Sequence, residues 1–123
     1  MDSLLRKPML LCVDDSKTCL YLRKQVLEGA GYSVLVASNS VMAMEIFSST
    51  AVDLVVSDYF LKGCTGIELA IAMKRLKPEV PIAIMSGTLE APEGIERADG
   101  FISKGDSPPQ LLLKISELLK RRT

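Results

Sequence analysis

Short, largely apolar runs punctuate this chain, and two of them stop at aspartates. Met9-Leu10-Leu11-Cys12-Val13 ends at Asp14-Asp15, and Leu54-Val55-Val56-Ser57 ends at Asp58. Ser33-Val34-Leu35-Val36-Ala37, Pro81 to Met85 and the shorter Gly100 to Ser103 continue the pattern. A strand that is apolar on both faces must be covered on both, which points to a parallel sheet between two layers of helix. The longer stretches between the runs supply those helices. Ser16 to Glu28 sets Leu20, Val26 and Leu27 on one side, with Gly29 and Gly31 as stops. Asn39 or Ser40 caps a helix through Ser48 that buries Val41, Met44, Ile46 and Phe47 in part. A loop through Gly63 and Gly66 leads to a helix from Ile67 to Leu76. Ser107-Pro108 reads as an N-cap followed by proline at the first helical position. That last helix turns Leu111, Leu112, Ile115, Leu118 and Leu119 inward and Lys114, Glu117 and Lys120 outward. Lys120-Arg121-Arg122 suit the negative end of its dipole.

Five such units in 123 residues predict one open, doubly wound α/β domain over 1–123; a closed α/β barrel needs roughly 250 residues. Composition then removes whole classes of chemistry. The chain has no histidine, which excludes His-based acid–base catalysis, Ser-His and Cys-His nucleophiles and His-containing zinc sites. Fifteen basic and fifteen acidic residues leave no positive excess for a direct nucleic-acid surface. No apolar run approaches the roughly 20 residues of a membrane span, and MDSLLRK lacks the core of a secretory signal. Cys12, Cys19 and Cys64 cannot all pair within one chain, which favours free thiols in a reducing cytoplasm. Cys12 and Cys19 read as small core residues and Cys64 as partly exposed, with Met42, Met44, Met73 and Met85 as core fillers.

Ligands of open α/β sheets sit beyond the carboxyl ends of the strands. Asp14 and Asp15, Asp58, Ser86 and Lys104 follow or end four of the predicted strands, so one rim should carry all five. Three crowded carboxylates repel one another unless a cation lies among them. Oxygen ligands suit a hard ion, and Mg²⁺ keeps open positions for a phosphoryl group. A lysine and a hydroxyl offer such a group charge and a hydrogen bond, while the middle carboxylate can act as nucleophile to form an acyl phosphate.

Over nearly its whole length the chain resembles the receiver domain of bacterial two-component response regulators. The resemblance rests on Asp14-Asp15, Asp58, Gly66, Ser86-Gly87 and Phe101-Ile102-Ser103-Lys104, in that order. It implies a flavodoxin-like fold with strand order 2-1-3-4-5 and helices on both faces. It also implies that Asp58 accepts a phosphoryl group from a phosphohistidine on a histidine kinase or histidine phosphotransfer protein. Asp15, Asp58 and the backbone carbonyl of Phe60 would bind Mg²⁺, with Asp14 acting mostly through water. Lys104 would pair with Asp58 and then with the phosphoryl group, while Ser86 and Phe101 would be the switch residues. Such a domain signals to a downstream protein target by contact and is a phosphoacceptor rather than an enzyme; its oligomeric state is left open.

The chain departs from the family in three places. Lys62 and Gly105 stand where the family has proline, so the Lys104–Gly105 bond is expected to be trans, or an unusually well-held cis. Between Ser86 and Lys104 the chain is shorter than the family by about one helical turn, roughly 3.6 residues. With Pro92 and Gly94 in what remains, the fourth helix should be short or irregular. Plainer readings exist for each residue alone: Asp14-Asp15 as helix caps, Ser86-Gly87 as a turn, Lys104 as a surface lysine, Phe101 as core. A degenerate receiver that only binds is the competing function, ahead of a flavodoxin or an aspartate-nucleophile phosphatase. Asp14-Asp15 would repel a flavin phosphate after the first strand, and Lys17 stands where the phosphatase needs an acid. The 123 residues leave no room for an output domain after the last helix, so a stand-alone regulator and a piece of a longer regulator or hybrid kinase both remain open.

Overall fold

The computed structural model describes residues 6–121. The N-terminal segment read above for a signal, up to Leu5, and Arg122 of the basic run lie outside them. Strand β1 (Met9–Val13) is flanked by β2 (Ser33–Ala37) and β3 (Leu54–Asp58). Next to β3 lies β4 (Ile82–Ser86), and β5 (Gly100–Ser103) closes the far edge. All pairings are parallel, giving the order β2-β1-β3-β4-β5 expected of a flavodoxin-like sheet. Every residue of β3 and β4 is buried, which is why those runs carry no polar alternation.

Alternate residues of each strand feed two separate cores. On one face Leu10, Cys12, Val56, Ala83 and Ile102 meet Leu20 and Leu27 of α1 (Lys17–Gly29) and Ile115 and Leu118 of α4 (Pro108–Arg121). On the other, Leu11, Val13, Val55 and Ile84 meet Phe47 of α2 (Ser40–Ser49) and Ile67 and Met73 of α3 (Gly66–Leu76). Ser16 caps α1 by accepting from the Cys19 N–H, so the aspartate pair before it is not the cap. Asn39 caps α2, and Thr65 and Glu68 form a reciprocal capping box on α3. Ser107 and Gln110 bond each other's backbone N–H at the start of α4.

Some expectations change. The inward face of α2 is carried by Ala43 and Phe47, four residues apart, which turns Val41 and Met42 outward to 69% and 41% exposure. Cys19 is only half-buried, whereas Cys12 is fully buried. The loop before α3 contains a two-residue antiparallel ladder, Phe60–Leu61 with Cys64–Thr65, turned by Gly63 at φ +86°. Between β4 and β5 the only helical segment among the described residues is a 3₁₀ turn, Ile95–Arg97, entered through Gly94 at φ +90°. The fourth helix of the family pattern is thus reduced to one turn. No cis peptide bond occurs among the described residues, so Lys104–Gly105 is trans. No described helix is long and apolar enough to cross a membrane.

Candidate functional site

β1 and β3 run side by side to Val13 and Ser57, so the residues that follow emerge at one edge of the sheet. One carboxylate oxygen from each of Asp14, Asp15 and Asp58 lies within 4.8 Å of the others. Asp14 and Asp58 are buried and Asp15 is exposed. Lys104, on the loop leaving β5, reaches across the end of β4 to this group. Its Nζ lies 3.1 Å from Asp58 Oδ1 and 3.3 Å from Asp14 Oδ2. Its backbone N–H donates to the Ser86 carbonyl at 2.8 Å, which ties the lysine's loop to the end of β4.

The backbone around Asp58 is tightly held. Ser57 Oγ donates to the Asp58 carbonyl at 3.0 Å, and the Tyr59 N–H donates to the Met85 carbonyl at 2.8 Å. The Gly66 N–H donates to the Tyr59 carbonyl at 2.7 Å, bringing the first residue of α3 against β3. A Cβ on Gly66 would collide with the carbonyl oxygen of Asp58. Glycine stands there because of that close approach, not because of its φ.

Burial and then repulsion from Asp14 raise the Asp58 carboxyl above its ordinary value, with Lys104 opposing both. For Lys104, burial favours the neutral amine, but Asp58 and Asp14 outweigh it and its value rises. The rim therefore gathers three carboxyl groups around the single ammonium of Lys104. That oxygen donor set fits a hard divalent cation such as Mg²⁺.

Not every predicted site residue joins the cluster. Ser86 ends β4, but its hydroxyl lies 3.1 Å from Thr88 Oγ1 and accepts from the Thr88 N–H at 3.4 Å. Phe101 is half-buried opposite Ile84, two residues short of the strand end at Ser103. Phe60 is 71% exposed, and its ring stands edge-on to Tyr59, centroids 4.8 Å apart.

One residue of the site was missed from sequence. Arg23 is only 8% exposed, and its Nη2 lies 3.5 Å from Asp14 Oδ2. The signal was present: Leu20, Arg23 and Leu27 follow the 3–4 spacing of a buried helix face, with a charge in the middle position.

An open doubly wound domain with this acidic rim defines the class. The response regulator receiver domain model matches residues 10–116, and the chain belongs to that family, the receiver domains of two-component systems. The phosphate regulon transcriptional regulatory protein PhoB of Pseudomonas aeruginosa is 33% identical over 91% of this chain and 52% of its own length. The phosphoglycerate transport system regulator PgtA of Salmonella typhimurium is 29% identical over 92% of this chain and 28% of its own. The chain thus spans about half or less of these relatives. A CheY-like receiver domain protein from Methanospirillum hungatei superposes with a TM-score of 0.88 at 28% identity, covering 95% of this chain and 97% of that one. The response regulator TrrA of Thermotoga maritima, solved with Mg²⁺-BeF, gives 0.85 at 26% identity, covering 90% and 98%.

Proposed function

We propose that residues 1–123 act as a single receiver domain that accepts a phosphoryl group on Asp58 and signals by contact with a downstream protein. The observation that carries this reading is the convergence of Asp14, Asp15 and Asp58 within 4.8 Å, with Lys104 at 3.1 Å from Asp58. An Asp58 oxygen attacks the phosphorus of a phosphohistidine, the P–N bond breaks, and the imidazole leaves with its electron pair and takes up a proton. Since these 123 residues contain no histidine, the phosphohistidine lies outside them, on a histidine kinase or a histidine phosphotransfer protein. Asp15, Asp58 and the Phe60 carbonyl would hold Mg²⁺ directly and Asp14 through water. The ion would supply positive charge to the phosphoryl oxygens.

Lys104 keeps the Asp58 oxygen oriented before transfer and pairs with the phosphoryl group afterwards. Ser86 gives up its Thr88 contact to donate to a phosphoryl oxygen, and Phe101 follows it inward. This is a population shift biased by one local charge event. The aspartyl phosphate is later lost to water, so the only chemistry is the domain's own transfer and dephosphorylation. We place it in the cytoplasm, where such a donor and free thiols coexist. Intact mass after incubation with acetyl phosphate and Mg²⁺ tests the reading. A gain of about 80 Da that requires both the ion and Asp58, and is absent from Asp58→Ala, is the expected result. No adduct on folded wild type would favour the degenerate receiver.

A further inference from the structure

Arg23 is the one buried side chain among the described residues with an orphaned polar atom. Its Nη1 has no hydrogen-bond partner, and its Nη2 makes a single long contact, 3.5 Å to Asp14 Oδ2. As a structural ion pair this is poor. Removing a guanidinium from water is costly, and one contact at 3.5 Å does not recover that cost. The position lies between Leu20 and Leu27 on the core face of α1, where an apolar side chain would pack without that cost. Stability therefore does not explain an arginine here, and the neighbouring charges do.

Asp14 is held from the inside on both oxygens. Oδ1 accepts from the Ser16 N–H at 2.9 Å, and Oδ2 is shared by Arg23 and Lys104. Three carboxylates then face two resident cations, leaving one net negative charge to attract a divalent ion. Without Arg23 two negative charges would remain. Once Asp58 exchanges its single charge for a phosphoryl dianion beside a bound divalent ion, the five groups and the ion reach neutrality only if Arg23 is counted.

We propose that Arg23 is a built-in counter-cation of Asp14 that holds down the rim's affinity for divalent ions and balances its charge after phosphoryl transfer. The inference rests on the Mg²⁺ reading given above. Arg23 is a positioning residue: it acts through Asp14 and does not touch the reacting oxygen of Asp58. Because the guanidinium is buried, its effect should survive salt that would screen a surface charge.

Calorimetric titration of the metal-free protein with Mg²⁺ in physiological salt tests it. Wild type is compared with Arg23→Met, Arg23→Lys and Lys24→Met, the last removing the same charge from the neighbouring position of the helix. Arg23→Met should bind Mg²⁺ about tenfold more tightly, with Arg23→Lys and Lys24→Met close to wild type. Equal or weaker binding by Arg23→Met overturns the inference and leaves the Mg²⁺ reading standing. Binding by neither wild type nor Arg23→Met overturns both, and binding by Arg23→Met alone supports the inference in its strongest form. If circular dichroism finds Arg23→Met unfolded, Arg23→Gln, which keeps a donor toward Asp14 without the charge, carries the same comparison.

Discussion

Aspartates stand at both ends of this sheet, and the two ends use them differently. At the amino end Asp53 precedes β3 and Asp99 precedes β5. Asp53 donates its N–H to the Met9 carbonyl and accepts the Met9 N–H on Oδ2 at 2.7 Å. Asp99 repeats the device with Ile82, accepting its N–H at 2.8 Å. Each also has its own cation, Arg6 at 3.7 Å and Lys74 at 2.8 Å. These carboxylates stitch the first amide of one strand to its neighbour. At the carboxyl end three carboxylates share two cations, and that shortage of charge is what a metal and a phosphoryl group can exploit. Charge balance, and not the kind of residue, separates the structural end from the reactive one.

Exchanging the acceptor should produce the largest effect. Asp58→Asn should lose phosphoryl uptake altogether, yet the metal-free variant should melt no lower than wild type. The sign follows from the raised carboxyl of Asp58. The folded state binds its proton more readily than the unfolded chain does. Any stability contributed by this group is therefore present below the ordinary carboxylate value and lost as pH rises through the raised folded one. Asparagine escapes that loss. Thermal melts in chelator should diverge in favour of the variant as pH climbs from about 4 to neutrality; a wild type that gains on the variant over that range would contradict the account.

Gly66→Ala comes next, because its Cβ would press on the Asp58 carbonyl itself. We expect a loss of about 3 kcal/mol in urea unfolding, typical of overpacking against backbone, together with slower phosphoryl uptake. At the amino end Asp53→Ala or Asp99→Ala should cost about 2 kcal/mol, through a strand amide left without its charged acceptor. Phosphoryl uptake by the folded fraction should be unchanged. If uptake fell there as well, the two ends would not be independent.

Much of this division was readable in the chain. The run Leu54 to Val56 is apolar at every position because β3 is buried on both faces, so strands, order and rim followed from local pattern and family likeness. The failures are tertiary. Val41 and Met42 look like core by type, but the helix phase set by Ala43 and Phe47 exposes them. Arg23 looks like an ordinary charged helix residue until Asp14 is seen beneath it. Asp53 and Asp99 show in sequence only as residues preceding strands; their role depends on Met9 and Ile82, which are 44 and 17 residues away.

The smallest effect should come from Phe60, which belongs to the reactive end but carries no charge. Two residues beyond Asp58, it is 71% exposed and its ring stands edge-on to Tyr59. An aromatic left in solvent contributes little to folding, so Phe60→Ala should change stability by less than about 0.5 kcal/mol. If the ring shields the acyl phosphate from water, the variant should dephosphorylate roughly two- to fivefold faster, a barrier change of under about 1 kcal/mol. Following loss of the phosphoryl mass with time measures this directly. A Phe60→Ala protein that holds its phosphoryl group as long as wild type would remove shielding as the reason for the ring. Lifetime at this rim would then rest on the charged groups alone.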